Sequence, residues 1–418
     1  MLKVSAPARN RSDLVTWYLA NRRRSAQLFA LVALEAFESR PIPLRHPIVF
    51  YEGHLPAFSY ITLVGGALRR PSIDERLEKL FQRGIDPEDD AAAVHAAPAK
   101  WPARAEVASF AARCDEAVIK ALSALDLDDA RLREAAYTIL EHEQMHHETL
   151  LYIIHRLPAP YKRPARGTPA PRDGVVPAYD MVSVPTGAAS VGARRADAVF
   201  GWDNEFEQQT VDVPAFEIEK HSVTNADYLR FVEEGGPVPP FWLKARGRWH
   251  QQALFGDVPL PLAWPVYATL DQATAFARWK GMRLASEAEY QRAAFGTPTG
   301  QEINFPWGDD PPDAAHGNFN FRNWDPVPAG SRPAGASSWG VEDLVGNGWE
   351  WTSSEFQPLP GFAPMASYPQ YSADFFDAKH FVVKGASAVT AANLIRRSLR
   401  NWFRPNYPYI YTKFRCVS

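Results

Sequence analysis

At 418 residues, with 45 basic and 48 acidic side chains and a formal net charge of -3, the chain exceeds what one hydrophobic core organises, so two domains are expected. That balance argues against a nucleic-acid or membrane-surface protein, because no broad face would attract a polyanion, and Arg22-Arg23-Arg24 reads as a solvated helix face. No apolar stretch approaches the roughly 18 residues of a membrane span, Met1 to Asp13 lacks the apolar core of a signal peptide, and Cys114 and Cys416 form no disulfide framework, so a cytoplasmic protein is expected.

Residues 1–157 read as helical. Ser12 or Asp13 can cap a helix through Trp17, Leu28, Val32 and Ala36, which Pro41 and Pro43 end. Further helices are expected around Val49, Phe50, His54 and Phe58, over Leu77 to Phe81, and from Ala105 to Leu122. The clearest runs from Asp129 to Leu157, where Leu132, Ala136, Ile139, Leu150, Ile153 and Leu157 recur at helical spacing and bury one face. Four antiparallel helices would make a bundle. Residues 158–178 read as a linker, since repeated prolines remove backbone donors and block helix. Residues 179–418 are rich in Trp, Gly and Pro with short apolar runs, which predicts an irregular α+β domain with helices only at Asn225 to Glu234, Asp271 to Lys280 and Ser286 to Ala294.

The strongest chemical signal is Glu141-His142-Glu143-Gln144-Met145-His146-His147-Glu148. His142 and His146 stand four apart, one above the other on a helix, and interrupt the apolar stripe between Ile139 and Leu150, so both point inward. His54, after Gly53 on another helix, offers a third imidazole. A single inward histidine is ordinarily a hydrogen-bonded core residue; two on one buried face with a third in reach point to a metal. His147, rotated by about 100°, and His155, two turns on, read as surface residues or neighbours of the ligands, and Glu143 or Glu148 is an alternative carboxylate ligand. Zinc, iron and copper all suit three neutral imidazoles.

Several ordered runs in the second domain carry a resemblance. They are Met181-Val182-Ser183-Val184-Pro185, Val223-Thr224-Asn225-Ala226-Asp227-Tyr228, Arg283-Leu284 with Ser286-Glu287-Ala288-Glu289-Tyr290, Phe305-Pro306-Trp307-Gly308-Asp309, Gly346-Asn347-Gly348-Trp349-Glu350-Trp351-Thr352 and Phe414-Arg415-Cys416-Val417. They resemble the formylglycine-generating-enzyme/sulfatase-modifying-factor fold, a C-type-lectin-like architecture. The activity of those enzymes needs two cysteines, and this domain has only Cys416. With a DinB-like four-helix bundle bearing three histidines in front of it, the chain looks like the sulfoxide synthases of ergothioneine biosynthesis and their relatives, the selenoneine synthases. That resemblance implies a cofactor, Fe(II), held by His54, His142 and His146, and as substrates O₂, hercynine (Nα-trimethylhistidine) and a chalcogen donor. Tyr368 and Tyr371, after Gly361-Phe362-Ala363-Pro364-Met365, match two active-site tyrosines, Tyr368 as proton donor near the iron. Arg400-Asn401-Trp402 matches the family's run that holds hercynine, whose permanent cation suits the aromatic faces of Trp402 and Tyr371.

Three positions depart from the thiol-using enzymes. The donor loop reads Gly84-Ile85-Asp86-Pro87-Glu88-Asp89-Asp90 with only Arg83 before it, where the relatives grip carboxylates with two arginines. Acidic side chains there would repel a dicarboxylate and accept hydrogen bonds from a sugar. Met145 stands where a glutamine is found and Phe403 where an acid is found, both softening the pocket. A selenosugar is therefore the expected donor, making the chain a selenoneine synthase. The alternatives are an ergothioneine-type enzyme using cysteine or γ-glutamylcysteine, a zinc-dependent thiol transferase, and a non-enzymatic lectin-like binding module.

Overall fold

In the computed structural model, which describes residues 10–82 and 100–418, the first helix is capped by Asn10 rather than by Ser12 or Asp13. The Asn10 side chain accepts the Asp13 amide at 3.1 Å and the Asp13 carboxylate accepts the Asn10 amide at 3.2 Å, a reciprocal box in which Asp13 serves the first turn. Helix α1 (Arg11–Phe29) stops well short of the prolines. Its backbone is diverted because the Ala33 amide donates to the Tyr161 carbonyl (2.9 Å) and the Arg163 amide to the Leu31 carbonyl (2.7 Å), so Val32 and Ala36 lie outside the helix.

Helix α2 (Ile48–Ser59) carries Pro56 inside it and passes into a π-helical stretch, Tyr60–Ala67, where the Leu68 amide reaches back five residues to the Leu63 carbonyl. A proline without an amide, followed by a widened turn, is a common signature of a helix that serves a site. Helix α3 (Glu75–Phe81) is capped by Asp74, α4 spans Arg104–Ser123, and α5 spans Ala130–His155, capped by Asp129. Every residue from Ala135 to Gln144 in α5 is buried, so this helix is enclosed on all sides rather than along one stripe. Helix α1 packs on α4 and α5, and α2 packs on α3, α4 and α5.

The described residues divide into two units at Gly167/Thr168. The first also takes in Ala366–Tyr368; the second comprises Thr168–Met365 and Pro369–Ser418. The proline-rich segment is not a free tether. Lys162 bridges to Val32 and its ammonium donates to the His155 carbonyl (2.7 Å), while the Asp173 carboxylate accepts the Leu262 and Ala263 amides.

In the second unit a four-stranded sheet runs Met181–Val184, Phe216–Glu219, Cys416–Val417, Arg283–Leu284 in spatial order. Another runs Asn401–Phe403, Phe381–Ala386, Gly348–Glu355, Thr412–Lys413, and smaller sheets of two and three strands complete the unit. Helices α6 (Asn225–Glu233), α7 (Leu270–Trp279) and α8 (Glu287–Phe295) begin at capping boxes on Thr224, Thr269 and Ser286, which is why their starts were legible in the sequence. Tyr290, Ala293 and Ala294 of α8 pack against Val184, Val213, Phe216, Ile218 and Leu344 to form the core. Both cysteines are buried and unpaired, and no helix among the described residues is long and apolar enough to cross a membrane.

Candidate metal centre and its surroundings

The sequence puts His142 and His146 one turn apart on α5 and His54 on α2, and packing of α2 against α5 brings the three rings together. The Nε2 atom of His146 lies 3.1 Å from that of His142 and 3.3 Å from that of His54. Among the described residues these three offer ligand atoms that all lie within 4.8 Å of one another. His54 and His142 are buried and His146 is half-buried. Aromatic walls fix the rings: Phe58 stacks on His142 at 3.5 Å between centroids, Phe50 stacks on His54 at 5.0 Å, and Tyr51 lies 5.6 Å from His146.

Burial, and then the neighbouring imidazoles, hold His142 and His146 well below the usual histidine range, and burial pulls His54 down to about 4. All three are therefore neutral near pH 7. The Nδ1 atom of His54 lies 2.7 Å from the Phe81 carbonyl, which can only accept, so the proton sits on Nδ1 and Nε2 presents a lone pair. Neutral imidazoles so close cannot satisfy one another, since one N–H answers one lone pair at a time. A divalent cation answers all three together, and the donor set fits iron, zinc or copper.

Of the two alternative carboxylate ligands, Glu143 is excluded by geometry. It turns the other way, where its Oε1 accepts Ser25 Oγ–H (2.6 Å) and Arg22 Nη1–H (2.9 Å). Of the two expectations for His147, surface residue or neighbour of the ligands, the surface one fails: it is buried, 2.9 Å from Ser25 Oγ. His155 is buried as well. Both belong to the interior because α5 is enclosed on all sides.

Tyr368 joins the histidines. The Ser367 amide donates to Glu134 Oε1 (2.9 Å) and Ser367 Oγ meets Thr138 Oγ1 (2.8 Å), which ties the segment to α5. The Tyr368 ring then lies 5.1 Å from Phe58 and 6.0 Å from His142. Met145 precedes His146 on α5 and is half-buried.

In the second unit Tyr371 stacks on Trp202 at 4.0 Å and meets Trp402 nearly at a right angle, 5.2 Å between centroids. Trp402 stacks on Phe356 at 4.3 Å. Asn401 is half-buried, its Oδ1 accepting the Trp402 amide. Phe403 does not join this group. On a strand consecutive side chains face opposite ways, and Phe403 stacks instead on Tyr407. Arg400 is also not a free cation, because its guanidinium donates to Glu287 and to the Asn204 and Gln357 carbonyls.

Sequence reasoning missed Phe58, the Phe81 carbonyl and Trp202, on which Tyr371 stacks. Phe58 was legible, standing four residues after His54 on the same helical face. The donor-loop residues Arg83 and Gly84 to Asp90 lie outside the described residues.

The profile described as "Sulfatase-modifying factor enzyme 1-like domain" matches residues 167–418. Over 99 % of its length the chain is 34 % identical to the hercynine oxygenase of Mycolicibacterium thermoresistibile, covering 96 % of that protein. It is 35 % identical to that of Mycolicibacterium smegmatis over 73 % of this chain and 76 % of the relative. Ergothioneine biosynthesis protein 1 of Neurospora crassa is 28 % identical over 96 % of this chain, which spans 56 % of that larger protein. A three-histidine helical unit followed by this domain, aligned almost end to end with a hercynine oxygenase, places the chain in the hercynine oxygenase and ergothioneine-biosynthesis enzyme family.

Proposed function

We propose that the chain is an Fe(II)- and O₂-dependent enzyme whose DinB-like helical unit holds the metal through His54, His142 and His146, and which attaches a chalcogen to the imidazole ring of hercynine. The observation that supports it most is the convergence of three neutral imidazoles through their Nε2 atoms in a member of this family. Fe(II) held there would supply redox chemistry with O₂ and Lewis acidity toward a selenol or thiol.

The chain's own groups orient and protonate. His54 keeps its proton on Nδ1 through the Phe81 carbonyl, and Phe58 and Phe50 keep the rings from turning. In this reading the Tyr368 phenol, whose ring lies near His142, donates a proton as oxygen is reduced. Tyr371 and Trp402, set at a right angle, offer an aromatic corner to a cation that cannot donate hydrogen bonds, with Asn401 beside them.

The donor in this reading is a selenosugar, making the product selenoneine-type. It rests on Met145 in place of a glutamine and on the acidic run Asp86 to Asp90; Phe403, turned away from Trp402, no longer supports it. A sulfur donor is the second reading, favoured by relatives named for ergothioneine biosynthesis. The iron assignment is tested with H142A: iron retention after reconstitution and desalting should be lost, and full metal content with full turnover would overturn it.

A further inference from the structure

The segment Gly201-Trp202-Asp203-Asn204-Glu205 buries four side chains at 1 % exposure or less in one short turn. Glu205 is fully answered: its carboxylate takes Arg396 Nε and Nη2, Ser398 Oγ and the Trp202 amide. The three residues before it are not. Trp202 Nε1, Asp203 Oδ2, and both Oδ1 and Nδ2 of Asn204 have no hydrogen-bond partner among the described residues. Unanswered buried polar atoms are rare in folded proteins, and four on three consecutive residues call for a ligand.

Charge narrows the choice. Ser372 Oγ–H donates to Asp203 Oδ1 at 2.5 Å, but no Lys or Arg among the described residues is paired with the carboxylate. Arg396 is spent on Glu205, and Arg400 and Lys384 are gathered on Glu287. Burial accordingly pushes the Asp203 carboxyl up to about 6, against the pull of Ser372 and nearby backbone amides. A permanent cation would meet that anion without needing a proton. Aromatic surface lies beside it, since Tyr371 precedes Ser372 and stacks on Trp202. The indole N–H and the Asn204 amide are donors of the kind a carboxylate accepts.

We propose that Trp202, Asp203 and Asn204 form the polar end of the hercynine pocket, with the Asp203 carboxylate as counter-ion to the trimethylammonium and the Trp202 and Asn204 donors on the substrate carboxylate. This rests on the reading of hercynine as substrate and adds three residues to its site. It makes selectivity for the quaternary cation depend on Asp203.

The test compares binding of hercynine with binding of its neutral isostere, in which carbon replaces the quaternary nitrogen, by calorimetry on iron-loaded protein without donor or O₂. The native protein should prefer hercynine at least tenfold. D203N should raise the hercynine Kd at least tenfold while changing the isostere Kd less than threefold, and D203E should keep part of the preference. A native protein that binds both ligands equally overturns the proposal whatever the variants do, as does D203N weakening both ligands alike or neither. Hercynine failing to bind the native protein, with no O₂ uptake when donor is added, would instead overturn the proposed function.

Discussion

Gly53→Ala is a small change with a large expected effect. A Cβ at position 53 would lie 2.4 to 2.6 Å from three carbons of the Phe81 ring, against about 3.5–4.0 Å for ordinary carbon contact, so the ring must retreat by about 1 Å. It has little room, being fully buried with Phe50, Trp101 and Phe110 around it at centroid distances of 6.0, 6.4 and 6.3 Å. Overpacking of this kind costs about 1–3 kcal/mol. Replacing a helical glycine returns about 1 kcal/mol. Displacing Phe81 also stretches its 2.7 Å carbonyl bond to His54, worth roughly 0.5–1.5 kcal/mol. The net expectation is a loss of about 1–3 kcal/mol, or roughly 3–10 °C in Tm for a unit of this size. The second expected effect is weaker iron binding, because His54 loses the bond that fixes its tautomer. Thermal unfolding of the metal-free protein and iron titration measure the two separately. A variant with native Tm and native iron affinity would refute the reasoning, and G53A/F81L should recover much of the lost stability if the ring clash is its cause.

Arg396→Met leaves the Glu205 carboxylate buried without its bidentate partner; the expected loss is about 3–5 kcal/mol, read by denaturant unfolding, and an unchanged midpoint would contradict it. Burial raises the Asp203 carboxyl to about 6 in the folded state against an ordinary 3.8. Its contribution to stability is thus complete below about pH 3.8 and lost as pH rises through about 6, up to about 3 kcal/mol. D203N lacks that titration, so its ligand-free form should gain on the native protein between pH 4 and 6.5 and hold the gain above; a constant difference across that range would contradict the assignment. Iron bound only by the folded triad should raise stability by about 2.7 kcal/mol at a free concentration one hundred times its Kd, and removing it with a chelator should reverse the shift in Tm.

The helical elements were legible where local chemistry is strong. The Asp129 cap, the 3.6-residue stripe of the long helix and the three capping boxes of the second unit fixed their starts to within a residue or two. The end of α1 was not legible, because it is set by hydrogen bonds to Tyr161 and Arg163, more than a hundred residues away. Spacing showed that His142 and His146 share a face and that His54 was available; their convergence with Tyr368 depended on packing of α2 against α5 and on Ser367 docking onto that helix. Strand alternation would have separated Phe403 from Trp402 had the run been read as a strand. The state of Glu205 against that of Asp203 was not accessible, since only the fold decides which of two neighbouring carboxylates meets an arginine.

The central claim is iron-dependent oxidation of hercynine with a chalcogen donor, and O₂ consumption by the Fe(II)-reconstituted protein tests it most directly. With hercynine present, a selenosugar is compared with γ-glutamylcysteine and cysteine, and the products are read by mass. The account predicts uptake that requires hercynine and iron, greatest with the selenosugar and accompanied by a carbon–selenium product; uptake only with a thiol would keep the iron site and replace the donor, and no uptake with any donor would contradict the account.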